Sequence, residues 1–136
     1  MKAFAALVGF ALFATDAQAQ SPDEFSEQCA KQAAEVFQKE WGKGPIKGEE
    51  YELRGRYEHH YSSQFNKCFY LETRTFYSKR PTESMSLWDL NDNKHYGSYS
   101  GNFTSPTDPP TECWVQEKRC ASEQEWRELI KPYMED

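Results

Sequence analysis

The feature that most constrains this chain is a change of period. From residue 51 onward, side-chain character turns over every second position, while the segments on either side repeat at three- and four-residue steps. Successive side chains of a strand point to opposite faces, whereas helical neighbours lie three and four residues apart. Tyr51, Leu53, Gly55, Tyr57, His59 and Tyr61 alternate with Glu52, Arg54, Arg56, Glu58 and His60, which predicts a strand over 51–61 with one covered face. A turn over 62–66 leads to a second strand, 67–78, rich in β-formers (Cys68, Phe69, Tyr70, Leu71, Thr73, Thr75, Phe76, Tyr77). Residues 84–90 (SMSLWDL) and 95–103 read as a third and fourth strand joined by Asn91-Asp92-Asn93. An extended connector, 104–111, carries Pro106, Pro109 and Pro110 and precedes a short fifth strand or hairpin at 113–119.

The flanks are helical. Ser21, Pro22 and Glu24 form a capping signature, after which Phe25, Cys29, Ala33, Val36, Phe37 and Trp41 make one apolar stripe that Gly42-Lys43-Gly44-Pro45 terminates. Ser122 and Glu125 repeat the capping pattern, and Trp126, Leu129, Ile130 and Tyr133 follow at helical spacing. The expected fold class is α+β: an N-terminal helix, a four- to five-stranded antiparallel meander sheet and a C-terminal helix, tied by disulfides. Two amphipathic helices are expected to cover one sheet face, leaving an aromatic and polar surface on the other.

Residues 1–19 read as a secretory signal. Lys2 supplies the positive end, residues 3–14 the apolar core and Ala17-Gln18-Ala19 the cleavage site, so a single mature domain is expected over 20–136. Removing Lys2 and Asp16 leaves the net charge of −6 unchanged. Export places Cys29, Cys68, Cys113 and Cys120 where thiols are oxidised. Four cysteines allow three pairings, and sequence alone leaves them open. The favoured one is Cys29–Cys68, stapling helix to strand, with Cys113–Cys120 closing a hairpin around Gln116-Glu117. That hairpin lacks the Gly or Asn such turns usually carry. The spacings of 38, 44 and 6 intervening residues contain no C-x2–4-C pair, so zinc is not expected.

Nine Phe, eight Tyr and four Trp dominate a chain poor in aliphatics, the composition of a thin core that benefits from covalent ties. The acidic balance argues against nucleic acid, which requires clustered cations. Beyond the signal, no apolar run approaches the length of a bilayer span. The location implied is periplasmic or secreted.

Motifs that carry chemistry are sparse. His59 and His60 are neighbours on a strand and face opposite ways, which disfavours a shared metal or site. Asp89-Leu90-Asn91-Asp92-Asn93-Lys94 begins like a calcium loop, but Lys94 stands where glycine is required and Ser100 where an acidic ligand is required, so a turn is favoured. The segment 96–102 (YGSYSGN) mixes residues that binding surfaces use, although its glycines also suit close backbone approach. No phosphate loop or G-x-S-x-G elbow is present. Arg54 and Arg56 share a strand face with Glu52 and Glu58 and read as a salt-bridged exposed face. No pattern calls for a cofactor or a metal.

Three segments carry a resemblance: 60–69 (HYSSQFNKCF), 90–99 (LNDNKHYGSY) and 113–135, which runs from Cys113-Trp114-Val115 through Cys120 to Tyr133-Met134-Glu135. They resemble a group of small exported proteobacterial proteins of unknown function, with an N-K-C-F-like strand motif and a Y-M-E-like terminal helix. The resemblance implies an exported, disulfide-bonded single domain and transfers no activity and no site residue.

The functional expectation is an exported, non-enzymatic binding or inhibitor module. Its partner would be a protein or cell-envelope component contacting Tyr57, Tyr61, Tyr96 and Tyr99 or the segment 97–102. Two alternatives stand beside it: a small-molecule carrier with a pocket between the sheet and the N-terminal helix, and a small hydrolase using His59 or His60 with a nearby carboxylate or hydroxyl.

Overall fold

The Ser21 hydroxyl accepts a hydrogen bond from the Glu24 backbone N–H at 3.3 Å and starts α1, Pro22–Trp41. The computed structural model describes residues 19–105 and 107–136, so nearly all of the expected signal segment lies outside the described residues. After α1 come β1 (Ile46–Lys47), β2 (Glu52–Ser62), β3 (Lys67–Tyr77), β4 (Thr82–Asp89), β5 (Lys94–Asn102), β6 (Glu112–Val115) and β7 (Lys118–Arg119). Helix α2, Glu123–Met134, follows β7; the Ser122 hydroxyl accepts from the Glu125 N–H at 3.1 Å, and Glu125 accepts from the Ala121 N–H at 2.8 Å. The seven strands form one antiparallel sheet in chain order.

The architecture is therefore α+β with helices at the two ends and a meander between them. Its strand count exceeds the expected four to five. The two-residue β1 pairs with the start of β2, and the last hairpin separates into β6 and β7. The turn residues do what their chemistry allows: Asn66 and Asn93 take positive φ angles of 51°, and Gln116 takes 55° at the hairpin that lacked a glycine. The Cys113–Cys120 bridge holds that hairpin closed, and Cys29–Cys68 joins α1 to β3.

The helices do not share a face, contrary to the sequence expectation. Phe69 and Leu71 of β3 pack with Met85, Leu87, Tyr99, Val115, Trp126 and Ile130 beneath α2. Their neighbours Cys68, Tyr70 and Arg74 point the other way, toward α1, through the Cys29 bridge, a Tyr57–Tyr70 stack and the Arg74–Glu40 ion pair. The physical reason lies in β3, which is buried continuously from Cys68 to Thr73 and so needs cover on both sides.

Each helix is fitted by aromatic packing. Beneath α2, Trp126 is fully buried and its indole N–H donates to the Trp114 carbonyl at 3.1 Å. Near the helix end Tyr133 meets Phe65 and Phe69, each with ring centroids 5.2 Å away, and Tyr96 at 5.3 Å. Beneath α1, Phe25 stacks on Tyr61 at 5.2 Å and Phe37 meets Tyr57 at 4.7 Å. Trp41 lies directly over Gly55, where an added Cβ would fall 2.2 Å from the indole. A residue with a side chain there would lift the end of α1 off the sheet.

The two bridges should differ in their contribution to stability. They close sequence separations of 39 and 7 residues. In the chain-entropy treatment these correspond to about 4 and about 2.5 kcal/mol. Urea denaturation of Cys29→Ala/Cys68→Ala is expected to show the larger loss, and Cys113→Ala/Cys120→Ala the smaller.

Candidate functional site

Helix α1 lies over β2 and β3 and leaves β4, β5 and β6 open on its side of the sheet among the described residues. Two cross-strand serine pairs, Ser84–Ser100 and Ser86–Ser98, occupy this open half, and the first pair is hydrogen-bonded at 3.2 Å. Of these four serines, Ser86 lines the cleft beside α1 and Ser98 is buried. At one end, Trp88 stacks on His95 with centroids 4.4 Å apart and planes within 9°, and Trp114 meets the same imidazole edge-on at 5.0 Å. The register shift at Leu87/Trp88 makes this possible. The extra residue of the bulge sends Tyr96 into the packing beneath α2 while His95 stays on the α1 side.

Between α1 and this open half lies a cleft of about 390 Å³. Val36 and Glu40 line it from the helix, Tyr70, Glu72 and Arg74 from β3, and Ser86 and Trp88 from β4, with Leu90 and Asn93 at the following turn. The charged groups form one cluster. The Arg74 guanidinium donates through Nε to Oε1 of Glu72 and through Nη2 to Oε1 of Glu40. The Glu72 side chain is nearly buried, at 7 % exposure, so its charge depends on that guanidinium. Burial, and then the hydrogen bond and repulsion from Glu72, push the Glu40 carboxyl above the ordinary range against the pull of Arg74. The Tyr70 phenol is also raised, by burial first and by Glu72 and Glu40 next, so it stays protonated and can donate. The cleft thus offers two carboxylates on one guanidinium, two aromatic walls and a serine hydroxyl.

The residues singled out from sequence do not gather here. Tyr57 lies between Phe37 and Tyr70, and Tyr61 stacks on Phe25 and donates to Asn66 at 2.6 Å. Tyr96 and Tyr99 lie on the other side of the sheet, Tyr99 at 3 % exposure beside Trp126. The four tyrosines therefore belong to two separate packing layers and share no surface. The segment 97–102 is the body of β5, and its first three residues are buried. An added Cβ at Gly97 would fall 2.9 Å from the Trp114 carbonyl, so close backbone approach is what that glycine permits.

His59 and His60 occupy opposite faces, and His60 Nε2 is 3.1 Å from the Asp136 carboxylate. Arg54 pairs with Glu52, but Arg56 reaches across to Glu83 at 3.7 Å rather than to Glu58. Among the described residues, no three His, Cys, Asp or Glu side chains gather as a metal site. The Asp89–Asn93 segment is a turn whose cation is Lys67: its ammonium bonds both the fully buried Asp89 and the exposed Asp92. Asp89 also accepts the N–H groups of Asn91 and Asp92, at 2.8 and 3.2 Å.

Sequence reading passed over Glu40, Glu72, Arg74 and Trp88. A signal existed for Glu72: an acid immediately after the run Cys68-Phe69-Tyr70-Leu71 falls on a strand too apolar to be half-exposed. Glu40 carried no comparable mark, because only the docking angle of α1 brings it to Arg74. Compared with known protein families, with curated proteins and with solved structures, the chain matches none.

The Lys67–Asp92 pair gives a pH test. The hydrogen bond from Lys67, and then its charge, hold the Asp92 carboxyl below the ordinary value. A depressed carboxyl contributes stability that is fully present above its unfolded value and is lost as pH falls through the lowered folded value. The melting temperature of the native protein should therefore fall more steeply than that of Asp92→Asn below about pH 4. Added salt should narrow the difference, because Asp92 is exposed.

Proposed function

We propose that this protein is an exported, non-enzymatic binding module that receives its ligand in the cleft between α1 and the open half of the sheet. One observation carries the reading. Helix α1 covers β2 and β3 but not β4 to β6, and the uncovered part carries a tryptophan stacked on a histidine and serine hydroxyls, bordered on α1 and β3 by a carboxylate–guanidinium cluster, rather than a plain solvated surface. A concave site of a few hundred Å³ with aromatic walls and a few convergent polar groups suits a small ligand. Export is supported by the signal-like first 19 residues and by the two disulfides. No helix among the described residues is long and apolar enough to cross a membrane.

The position of the cleft favours the carrier form of the binding reading, since its walls are the N-terminal helix and the sheet. The hydrolase reading receives less support. His60 has a carboxylate partner in Asp136, but no hydroxyl or thiol is bonded to either His59 or His60 among the described residues.

Thermal denaturation against a panel of small amines, sugars, acids and peptides tests the proposal. A ligand at about 100 times its dissociation constant adds about 2.7 kcal/mol, a readily measured rise in melting temperature. That rise is expected to vanish in Trp88→Ala and in Ser86→Phe, which fills the cleft from β4. A ligand-induced rise that survives both substitutions would place binding elsewhere and end the proposal.

A further inference from the structure

The cleft between α1 and β4 has a charge imbalance that selects among ligands. Its charged lining is Glu40 from α1 and Glu72 and Arg74 from β3; the remaining walls, including β4 and the turn after it, are neutral. Arg74 uses two nitrogens on one oxygen of each carboxylate. Oε2 of Glu72 then has only a long 3.5 Å contact with the Tyr70 hydroxyl, and Glu40, beyond Arg74, meets the Glu72 carboxyl, a hydrogen bond that exists only while the two share a proton. Two carboxylates on one guanidinium leave one negative charge uncompensated when both are ionised. The rings of Tyr70 and Trp88 line the same space, and an aromatic face attracts a cation while its body accepts methylenes.

Resting on the binding role proposed above, we infer that the cleft takes a small diffusible aliphatic amine. Its ammonium would take the place of the shared proton between the Glu40 and Glu72 carboxylates, and its methylenes would lie against Tyr70 and Trp88. An anionic ligand is disfavoured by the same imbalance, and a neutral one leaves the extra charge uncompensated. The raised Glu40 carboxyl agrees with this: burial and the neighbouring Glu72 make Glu40 take up a proton more readily than an isolated glutamate, and a bound ammonium does the same work at higher pH. The volume of about 390 Å³ suits a short chain rather than a folded partner.

Isothermal titration of the oxidised protein with 1,5-diaminopentane, with 1,5-pentanediol as the uncharged isostere, decides the matter. The amine is expected to bind and the diol to bind at least tenfold more weakly. Glu40→Gln, at a half-exposed position that leaves the strand core untouched, is expected to weaken the amine at least tenfold, and Glu117→Gln at the distant hairpin tip to leave it unchanged. Melting curves of both variants establish that they are folded. Lowering the pH through the Glu40 titration should abolish amine binding, with Glu72, Arg74 and the Tyr70 phenol as the other groups facing that carboxyl. Equal binding of diol and amine, an unaffected Glu40→Gln, or no amine binding at all would overturn the inference. In the first two cases, loss of binding in Trp88→Ala would still leave the cleft as the ligand site. A lysine-containing peptide that binds where the free diamine does not would assign the charge preference to a macromolecular partner and likewise overturn the small-ligand form.

Discussion

The burial of β3 on both of its faces governs the arrangement of everything else. A strand whose consecutive residues Cys68, Phe69, Tyr70 and Leu71 are all shielded cannot rest with one side in water. Phe69 and Leu71 require a cover, which α2 supplies with Trp126 and Ile130. Cys68 and Tyr70 require another on the opposite side, which α1 supplies with Cys29 and the Phe37–Tyr57 pair. The chain has only these two helices among its described residues, so each face receives one. One helix cannot span the width of a seven-stranded sheet, and part of the α1 face stays open as a consequence.

How α1 is held explains why the open part remains open. The Cys29–Cys68 bridge pins the helix to β3 near its beginning, and the Arg74–Glu40 pair fixes it to the same strand near its end. Trp41, lodged over Gly55, tightens that second anchor to β2. With both ends fixed toward β2 and β3, α1 cannot slide over the serines of β4 and β5. The Arg74–Glu40 contact is thus both a fastening of the helix and a wall of the cleft. The same cluster combines packing and electrostatics: its buried member, Glu72, is tolerated because a guanidinium is bonded to it.

The opposite end of β3 is fastened by different chemistry. Lys67 reaches Asp89 and Asp92, and the Cys68 N–H donates to the Asn91 side chain at 2.7 Å. A turn that looks like the beginning of a cation loop is therefore closed internally, by a lysine one strand away. The acidic residues there serve the β4–β5 connection and give the central strand a defined start.

Local elements were legible because their signals are local. The two serine caps, the alternation in β2 and the asparagine turns at residues 66 and 93 depend only on neighbours within a few positions. The cysteine pairing stayed open among three at the level of sequence, and the structure contains the favoured one, which joins helix to strand and closes the last hairpin. The four tyrosines divide between the two faces for the converse reason. Alternation says which residues share a face of one strand, but not which face a helix will cover. The unbroken apolar run of β3 held the missing information about two-sided burial, whereas the meeting of Glu40 with Arg74 was not written in any local pattern. By itself the sequence determined the two helices, their caps, the four long strands and the order of these elements, because hydrogen bonding and side-chain periodicity act over a few residues. Only the tertiary structure decided that the helices lie on opposite faces and that a charged, tryptophan-walled cleft opens beside α1. That outcome depends on how far one helix reaches across seven strands, a matter of packing between segments distant in the chain.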